Sequence, residues 1–428
     1  MNDMKKRVPM RTIVLLIAFA LAAAGCRTQP ALDPEERVLD VFAGAANVFI
    51  LRADASILAA GDNHAGQLGS GEIGRRDLAI EQIAGQARGR HLAPAVTGVF
   101  DSTGAPFAFA RAAAAGESHA LILREDGTLW GAGGSAFGEL GRQGGNLPAF
   151  TQLTAAGAPV SGVSSAAAGN NSSFFIREGS LWATGFNHYG ELGLGNRSTQ
   201  FTFTAVESAG QNVRAIASGL RHTALLKEDG TLWVTGNNFK GQLGLGDTAD
   251  RTSFTHVPDV GSGILAVAAG NHHTVILHSD GSVWAAGSNF WGQLGLHGSD
   301  EQHSFTRLND ANGRPLTGIR QIAARGDITL LLTSAGSLLL TGNYIDSQSI
   351  LDIVASGANP AFRSAFAPLL TARGRPNLGE VQRIALGHNS IYVIDSNGQL
   401  WTAGSNRYGQ LVQAFDTEIS SVLRAVRP

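Results

Sequence analysis

The stretch Ile216-Ala217-Ser218-Gly219-Leu220-Arg221-His222-Thr223-Ala224-Leu225-Leu226-Lys227-Glu228-Asp229-Gly230-Thr231-Leu232-Trp233-Val234-Thr235-Gly236, closed by Gly241-Gln242-Leu243-Gly244, decides the fold. It reads as an apolar strand ending in Gly, a second strand, an Asp-Gly hairpin turn and a third strand, then a loop. Two-residue turns of this kind need positive φ, which favours Asn, Asp and Gly. The flanking runs alternate or are rich in β-branched and aromatic residues, as half-buried strands are.

The same sentence returns along the chain. The next copy keeps Ala268-Ala269-Gly270, His273, Asp280-Gly281, Val283-Trp284, Gly287 and Gly292-Gln293-Leu294-Gly295. The Gly ending the Leu-Trp strand falls at Gly61, Gly133, Gly185, Gly236, Gly287, Gly342 and Gly404, with spacings of 72, 52, 51, 51, 55 and 62 residues. Seven units of about fifty residues suit propeller blades better than helical solenoids, whose repeats run roughly 33 to 47 residues. No segment carries a sustained helical period. The expected fold is therefore all-β, a seven-bladed β-propeller over residues 37–428. Val41-Phe42-Ala43-Gly44 opens the array without an outer strand before it. Ile419 to Val426 would supply that strand, so N- and C-terminal strands would close the ring together.

Asp126-Gly127, Asp229-Gly230 and Asp280-Gly281 on the hairpins, Gly-x-x-His before them and Gly-Gln-Leu-Gly after them resemble the regulator of chromosome condensation repeat. The resemblance covers roughly residues 38 to 428. The first copy has Asp54-Ala55 at the turn and Leu58 for Trp; the sixth has Ala335-Gly336, Leu339 for Trp, and no Gly-Gln-Leu-Gly after Asn343. The resemblance implies four-stranded blades, with each repeat spanning the junction of two.

The first segment reads as an address. Lys5, Lys6, Arg7 and Arg11 precede an apolar run from Thr12 to Ala23, too short for a spanning helix. Ala23-Ala24-Gly25-Cys26 is similar to the lipobox of bacterial lipoproteins, in which the cysteine is acylated. Residues 1–25 are expected to be a signal peptide, Cys26 the lipidation site and residues 26–36 a tether carrying Pro30 and Pro34. An ordinary signal peptide cut near Ala24 is the alternative. The reading places the protein in the bacterial cell envelope, lipid-anchored to the outer membrane on its periplasmic or surface face. Cys26 is the only cysteine, so no internal disulfide can form. Charged residues make up 15% of the chain and the net charge is −2, which lacks the basic excess of a nucleic-acid binder.

Three constellations are candidates for chemistry or binding. His119, His222, His273 and His388, with Asn47 and Asn171 at related positions, would have to converge to hold a metal. A seven-fold repeat spreads them around the ring instead, each expected to bond the backbone of its own blade. Gly116-Glu117-Ser118-His119 lacks the second Gly of a nucleophile elbow and leads into a strand. Asn309 to Gly313 parallels Asp101 to Gly104 and reads as a blade hairpin rather than a calcium loop. The third constellation is the loop after each marked Gly, which carries His64, Phe137, His188, Tyr189, Phe239, Phe290, Trp291, Arg407 and Tyr408. Aromatics and Arg dominate protein-binding hot spots, so these residues could ring a docking surface; the alternative packs the aromatic beneath the Gly-Gln-Leu-Gly turn. Insertions within 75–107 and 344–376 add Arg75, Arg76, Arg88, Arg90, Arg363, Arg373 and Arg375.

The expected function is a non-catalytic, monomeric lipoprotein without cofactor or metal, whose propeller binds a partner protein or surface polymer. A secreted bacterial inhibitor of β-lactamases is similar in its repeats, which makes enzyme inhibition one version. The resemblance also implies an alternative, a guanine-nucleotide exchange factor-like regulator of a small GTPase. An enzyme with its site in the inserted loops is a third reading.

Overall fold

A computed structural model describes residues 37–74, 97–298, 300–310, 312–343, 366–368, 380–412 and 419–426. The expected signal peptide, Cys26 and the tether lie outside the described residues, as does most of both insertions. The described residues form seven four-stranded antiparallel sheets and one two-stranded hairpin. Each sheet is built from consecutive strands, so a blade is one continuous stretch of chain. Blade 1 comprises Val38–Ala43, Asn47–Arg52, Ile57–Gly61 and Thr97–Gly98. Blade 4 comprises Val213–Ser218, His222–Lys227, Leu232–Gly236 and Arg251–His256; blades 2, 3, 5 and 6 open on Ala110–Ala115, Val163–Ala168, Ile264–Ala269 and Ile319–Arg325 and end on Leu147–Gln152, Gln200–Ala205, Gln302–Arg307 and Ala367–Pro368. Blade 7 ends with Leu400–Ser405 pairing with Ile419–Ala425, so the C-terminal strand supplies the outermost position of the last blade.

The first strand of each blade packs against the first strand of the next, and Val381–Leu386 of blade 7 returns to Val38–Ala43 of blade 1. These strands therefore surround the ring axis. A single four-stranded sheet cannot cover both of its own faces, and the ring covers them. One hydrophobic cluster accordingly fills each junction. At the junction of blades 4 and 5, Leu226, Leu232 and Val234 meet Ile264 and Ile276. At the closing junction, Val41, Val48 and Ile50 meet Tyr392, Ile394 and Val426. Backbone bonds from Val38 to Gly398 (3.0 Å) and from His388 to Ala45 (3.1 Å) add to that closure.

The loop after the third strand latches blade to blade. The second Gly of Gly-Gln-Leu-Gly lies flat on an aromatic ring of the next blade's outer strand. A Cβ on Gly244 would stand 2.3 Å from the Phe305 ring, and one on Gly193 would stand 2.5 Å from that of Phe254. Gly246 N–H then bonds His303 O of the next blade at 2.9 Å. The Asn309 segment forms a bridge to Pro315, as Phe100 does to Pro106, so it is a hairpin beside the blade edge.

Candidate functional site

Antiparallel pairing sends the loops between strands one and two, and those between strands three and four, to the same end of the ring. The second set is held from inside. Asn187, Asn238 and Asn289 each accept the N–H of the latch Leu at 2.9–3.0 Å. Gln242 and Gln293 are fully buried and accept the N–H of Lys240 and Trp291, each at 2.9 Å. In blades 2 and 3 the Gln is Glu139 or Glu191, which accepts from Phe137 or Tyr189 at 2.8 Å. Burial raises both carboxyls, Glu191 to about 7, against the backbone N–H bonds that favour the charged form.

With Asn, Leu and Gln filling the inside of the loop, its two central residues turn outward. Phe290 is 64% exposed, Phe239 46% and Phe137 41%. The aromatic does not pack beneath the turn; the Leu does that, and Leu140, Leu192, Leu243 and Leu294 are buried. The outward groups touch across blades. Phe137 meets Phe186 at 5.3 Å, and Phe186 meets His188 at 4.3 Å. Arg221 of blade 4 donates to the Tyr189 hydroxyl at 2.8 Å and lies 4.8 Å over its ring. Phe239 meets His272 of blade 5 at 5.1 Å, and Phe290 meets Trp291 at 4.8 Å. Such contacts thus join blade 2 to 3, 3 to 4 and 4 to 5 at this end. Arg407 lies 5.8 Å over Tyr408 on blade 7.

His64 departs from this group, since its Nδ1 is 2.6 Å from Asp62 of its own loop. Phe186, Arg221 and His272 were missing from the sequence list. Arg221 and His272 stand just before His222 and His273 in the repeat, and that slot was the available signal.

The recurrent histidines serve the ring. His119, His222 and His273 face Gly133, Gly236 and Gly287 across the hairpin. Asn47, Ser172, Ile328 and Ser390 hold this place in the other blades. His388 and Asn171 are instead loop residues, a correction to the expected alignment. Each ring bonds the next blade rather than its own backbone: His119 Nε2 to Ser173 (2.9 Å), His222 to Thr274 (3.0 Å) and His273 to Thr329 (3.0 Å). The Thr274 and Thr329 hydroxyls donate to the Gln242 and Gln293 carbonyls at 2.7 Å, so they accept from Nε2–H. Burial pushes His119 down to about 4 and the other two to about 3, which keeps all three neutral. No group of three or more His, Cys, Asp or Glu that could hold a metal ion occurs among the described residues.

The chain matches the family model described as the RCC1-like domain over residues 94–427. It is 31% identical over 238 residues to the Bos taurus secretion-regulating guanine nucleotide exchange factor, covering 54% of this chain and 49% of that protein. It is 29% identical over 311 residues to the Arabidopsis thaliana ultraviolet-B receptor UVR8, covering 71% of this chain and 65% of that protein. The chain thus spans about half the length of the bovine relative. The Saccharomyces cerevisiae Prp20p structure superposes with a TM-score of 0.66 at 19% identity, covering 92% of this chain and 88% of that one. Human WBSCR16 superposes with a TM-score of 0.66 at 20% identity, covering 90% and 94%.

Proposed function

This chain belongs to the RCC1-like domain family, and on that premise we propose that it is a non-catalytic scaffold that binds a partner protein through its aromatic loop end. The carrying observation is the outward Phe137, Phe239 and Phe290 on blades 2, 4 and 5, beside the cross-blade contacts Phe137–Phe186, Tyr189–Arg221 and Phe239–His272. Exposed apolar groups that form a contiguous, rigidly held patch mark interaction surfaces, and aromatic and Arg anchors supply most binding energy at such patches. The names of the relatives support the class. Prp20p is described with its binding to Gsp1p and histones, and the bovine protein is an exchange factor.

The address belongs to the same proposal. Residues 1–25 export the chain, Cys26 carries the lipid, and the ring works in the bacterial envelope. The motif around Cys26 supports this reading. The exchange-factor reading is the second one, favoured by the bovine relative; export would separate the protein from cytosolic GTPases.

The test is cross-linking and capture from bacterial envelope extract with the lipidated wild type and a Phe239→Ala/Phe290→Ala variant of unchanged melting temperature. The expected result is a defined partner held by the wild type and lost by the variant. Equal capture by both would end the aromatic-face reading. Intact mass of the wild type beside Cys26→Ser checks the anchor, and full-length soluble protein in both cases would move the exchange-factor reading forward.

A further inference from the structure

Blade 6 breaks the rule of the ring at one place. In other blades, Gly ends the inner strand because the following side chain occupies the space where a Cβ would go. A Cβ on Gly270 would lie 2.1 Å from His273 Cε1, and one on Gly219 would lie 2.3 Å from His222 Cε1. Blade 6 changes both partners together: Arg325 stands for the Gly and Ile328 for the His. Without the imidazole there is room for a side chain, and the side chain is a cation.

Arg325 is half-buried, and the opposing charge that bears on it among the described residues is Glu117. Its Nη2 is closed to solvent and meets no hydrogen-bond acceptor among the described residues. None of the ion pairs among the described residues includes it. Burial draws it down to about 10, with Glu117 working in the opposite direction. The charge bears on His119 of blade 2 as well as on His388 of blade 7.

The surroundings are polar. Asn271 Nδ2 of blade 5 and His388 Nε2 of blade 7 come within 3.3 Å of each other across Gly326. A Cβ there would meet His388 Cδ2 at 2.9 Å, so Gly326 is what lets the two side chains meet. Glu117 lies on the far side, where its carboxylate takes Asn170 Nδ2 at 3.4 Å rather than Arg325. Burial raises Asp327, which Asn271 and Gln293 Nε2 (3.4 Å) contact.

Arg325 is half-buried, so part of its guanidinium stays open to a ligand, while an Nη2 closed to solvent and left without an acceptor is unfavourable. The guanidinium fork matches a carboxylate in plane and spacing. We infer that the axial mouth of the propeller is a carboxylate site, in which Arg325, flanked by Asn271 and His388, takes an acidic side chain inserted by the protein docked on the aromatic end. The inference rests on the docking reading for the source of the carboxylate; the site itself rests on blade 6.

The test uses the full chain and two probes, glutarate and its neutral diamide. Glutarate should raise the melting temperature and shift the Arg325 Nε–Hε resonance, while the diamide should do neither. Arg325→Met should abolish both responses and melt no lower than wild type, because an enclosed Nη2 without an acceptor has gone; Arg325→Lys should keep a weakened response. Phe290→Ala should keep the full glutarate response even where partner capture fails, which separates the two readings. No response to glutarate, or a response that survives Arg325→Met, overturns the site. Partner capture unaffected by Arg325→Met overturns the inserted side chain and leaves a free carboxylate as the ligand.

Discussion

The junctions between blades 4 and 5 and between blades 5 and 6 are built differently from those between blades 6 and 7, 7 and 1, and 1 and 2. In the first set a buried imidazole reaches a hydroxyl of the next blade, Thr274 or Thr329. Blades 2 and 3 follow the same rule, with His119 and Ser173. In the second set the place of the hydroxyl is taken by Ile391, Val48 or Ala120, all fully buried. The place of the imidazole is then taken by Ile328, Ser390 or Asn47. A His occurs only where the following blade offers a hydroxyl. The junction, not the blade, is therefore the unit to which these residues belong, and the buried imidazole is kept where its partner is.

The hardest blow to a regular junction is Gly219→Ala. The new Cβ would meet His222 Cε1 at 2.3 Å and the Gly270 carbonyl oxygen at 2.4 Å. Backbone lies on one side of the clash, so relief requires the blades to part, and the expected loss is at least about 3 kcal/mol. Adding His222→Ile should return part of it, since blade 6 carries that exchange naturally, whereas Arg325→Ala in blade 6 should not destabilise. Melting temperatures of the three variants check this, and a His222→Ile that fails to ease Gly219→Ala would break the comparison.

Next in size is Thr274→Val, which keeps the shape and removes the hydroxyl. It leaves His222 Nε2–H and the Gln242 carbonyl without their shared partner, so the expected loss is about 2 to 3 kcal/mol. Combining it with His222→Ile should cost less than the sum of the two single changes. Additive losses in urea unfolding would show that the hydroxyl and the imidazole do not work as a pair.

Within the regular blades, Glu191 against Gln242 gives a smaller, pH-dependent contrast. Gln242 also donates to Asn237 Oδ1 at 2.9 Å, whereas Phe186 stands at that place in blade 3. Burial raises the folded Glu191 carboxyl to about 7 from an ordinary 4.5. Between those values the folded state holds a proton that the unfolded state has released. Stability should therefore fall by roughly 3 kcal/mol as pH rises through that window and level off above it. Glu191→Gln should flatten this part of the profile. Melting curves from pH 4.5 to 8 read the slope, and an unchanged slope in the variant would assign it to other groups.

How much of this was legible depends on sequence distance. The blade count was visible because Gly61, Gly133, Gly185, Gly236, Gly287, Gly342 and Gly404 repeat a local requirement, a strand end followed by a turn. The C-terminal strand was visible because Ile419 to Val426 alternates. The partner of His222 was not, because Thr274 lies a whole repeat away and looks like part of its own blade's strand. His388 was misplaced because its blade keeps a His, but in the loop, two residues before Ser390. The outward turn of Phe239 and Phe290 could not be told from an inward one, since both positions suit an aromatic. Only the buried Leu and Gln, which leave no room inside the loop, decide it. Arg325 was not singled out at all, because a Gly-to-Arg change in a degenerate repeat reads as decay until the vanished imidazole is seen beside it.

The smallest expected effect runs in the favourable direction. Asn47 holds the imidazole place in blade 1, and both its Nδ2 and Oδ1 are buried without a partner among the described residues. The following blade offers Ala120 where blades 3, 5 and 6 have Ser173, Thr274 and Thr329. Ala120→Ser adds one oxygen at the place from which Ser173 meets His119, so Asn47 gains the bond it lacks. A net hydrogen bond contributes about 1 kcal/mol, and the strain of one added atom in a closed junction subtracts from it. The expected outcome is a small rise in melting temperature that disappears in an Asn47→Ala background. That background matters, because a hydroxyl satisfied by some other neighbour would stabilise both proteins equally. A rise that needs Asn47 would mean that the irregular junctions lack only the hydroxyl, and that the pairing rule of blades 4 and 5 extends across the rest of the ring. A loss in both backgrounds would mean that blades 1 and 2 have closed around the smaller residue and that their junction has become a different structure.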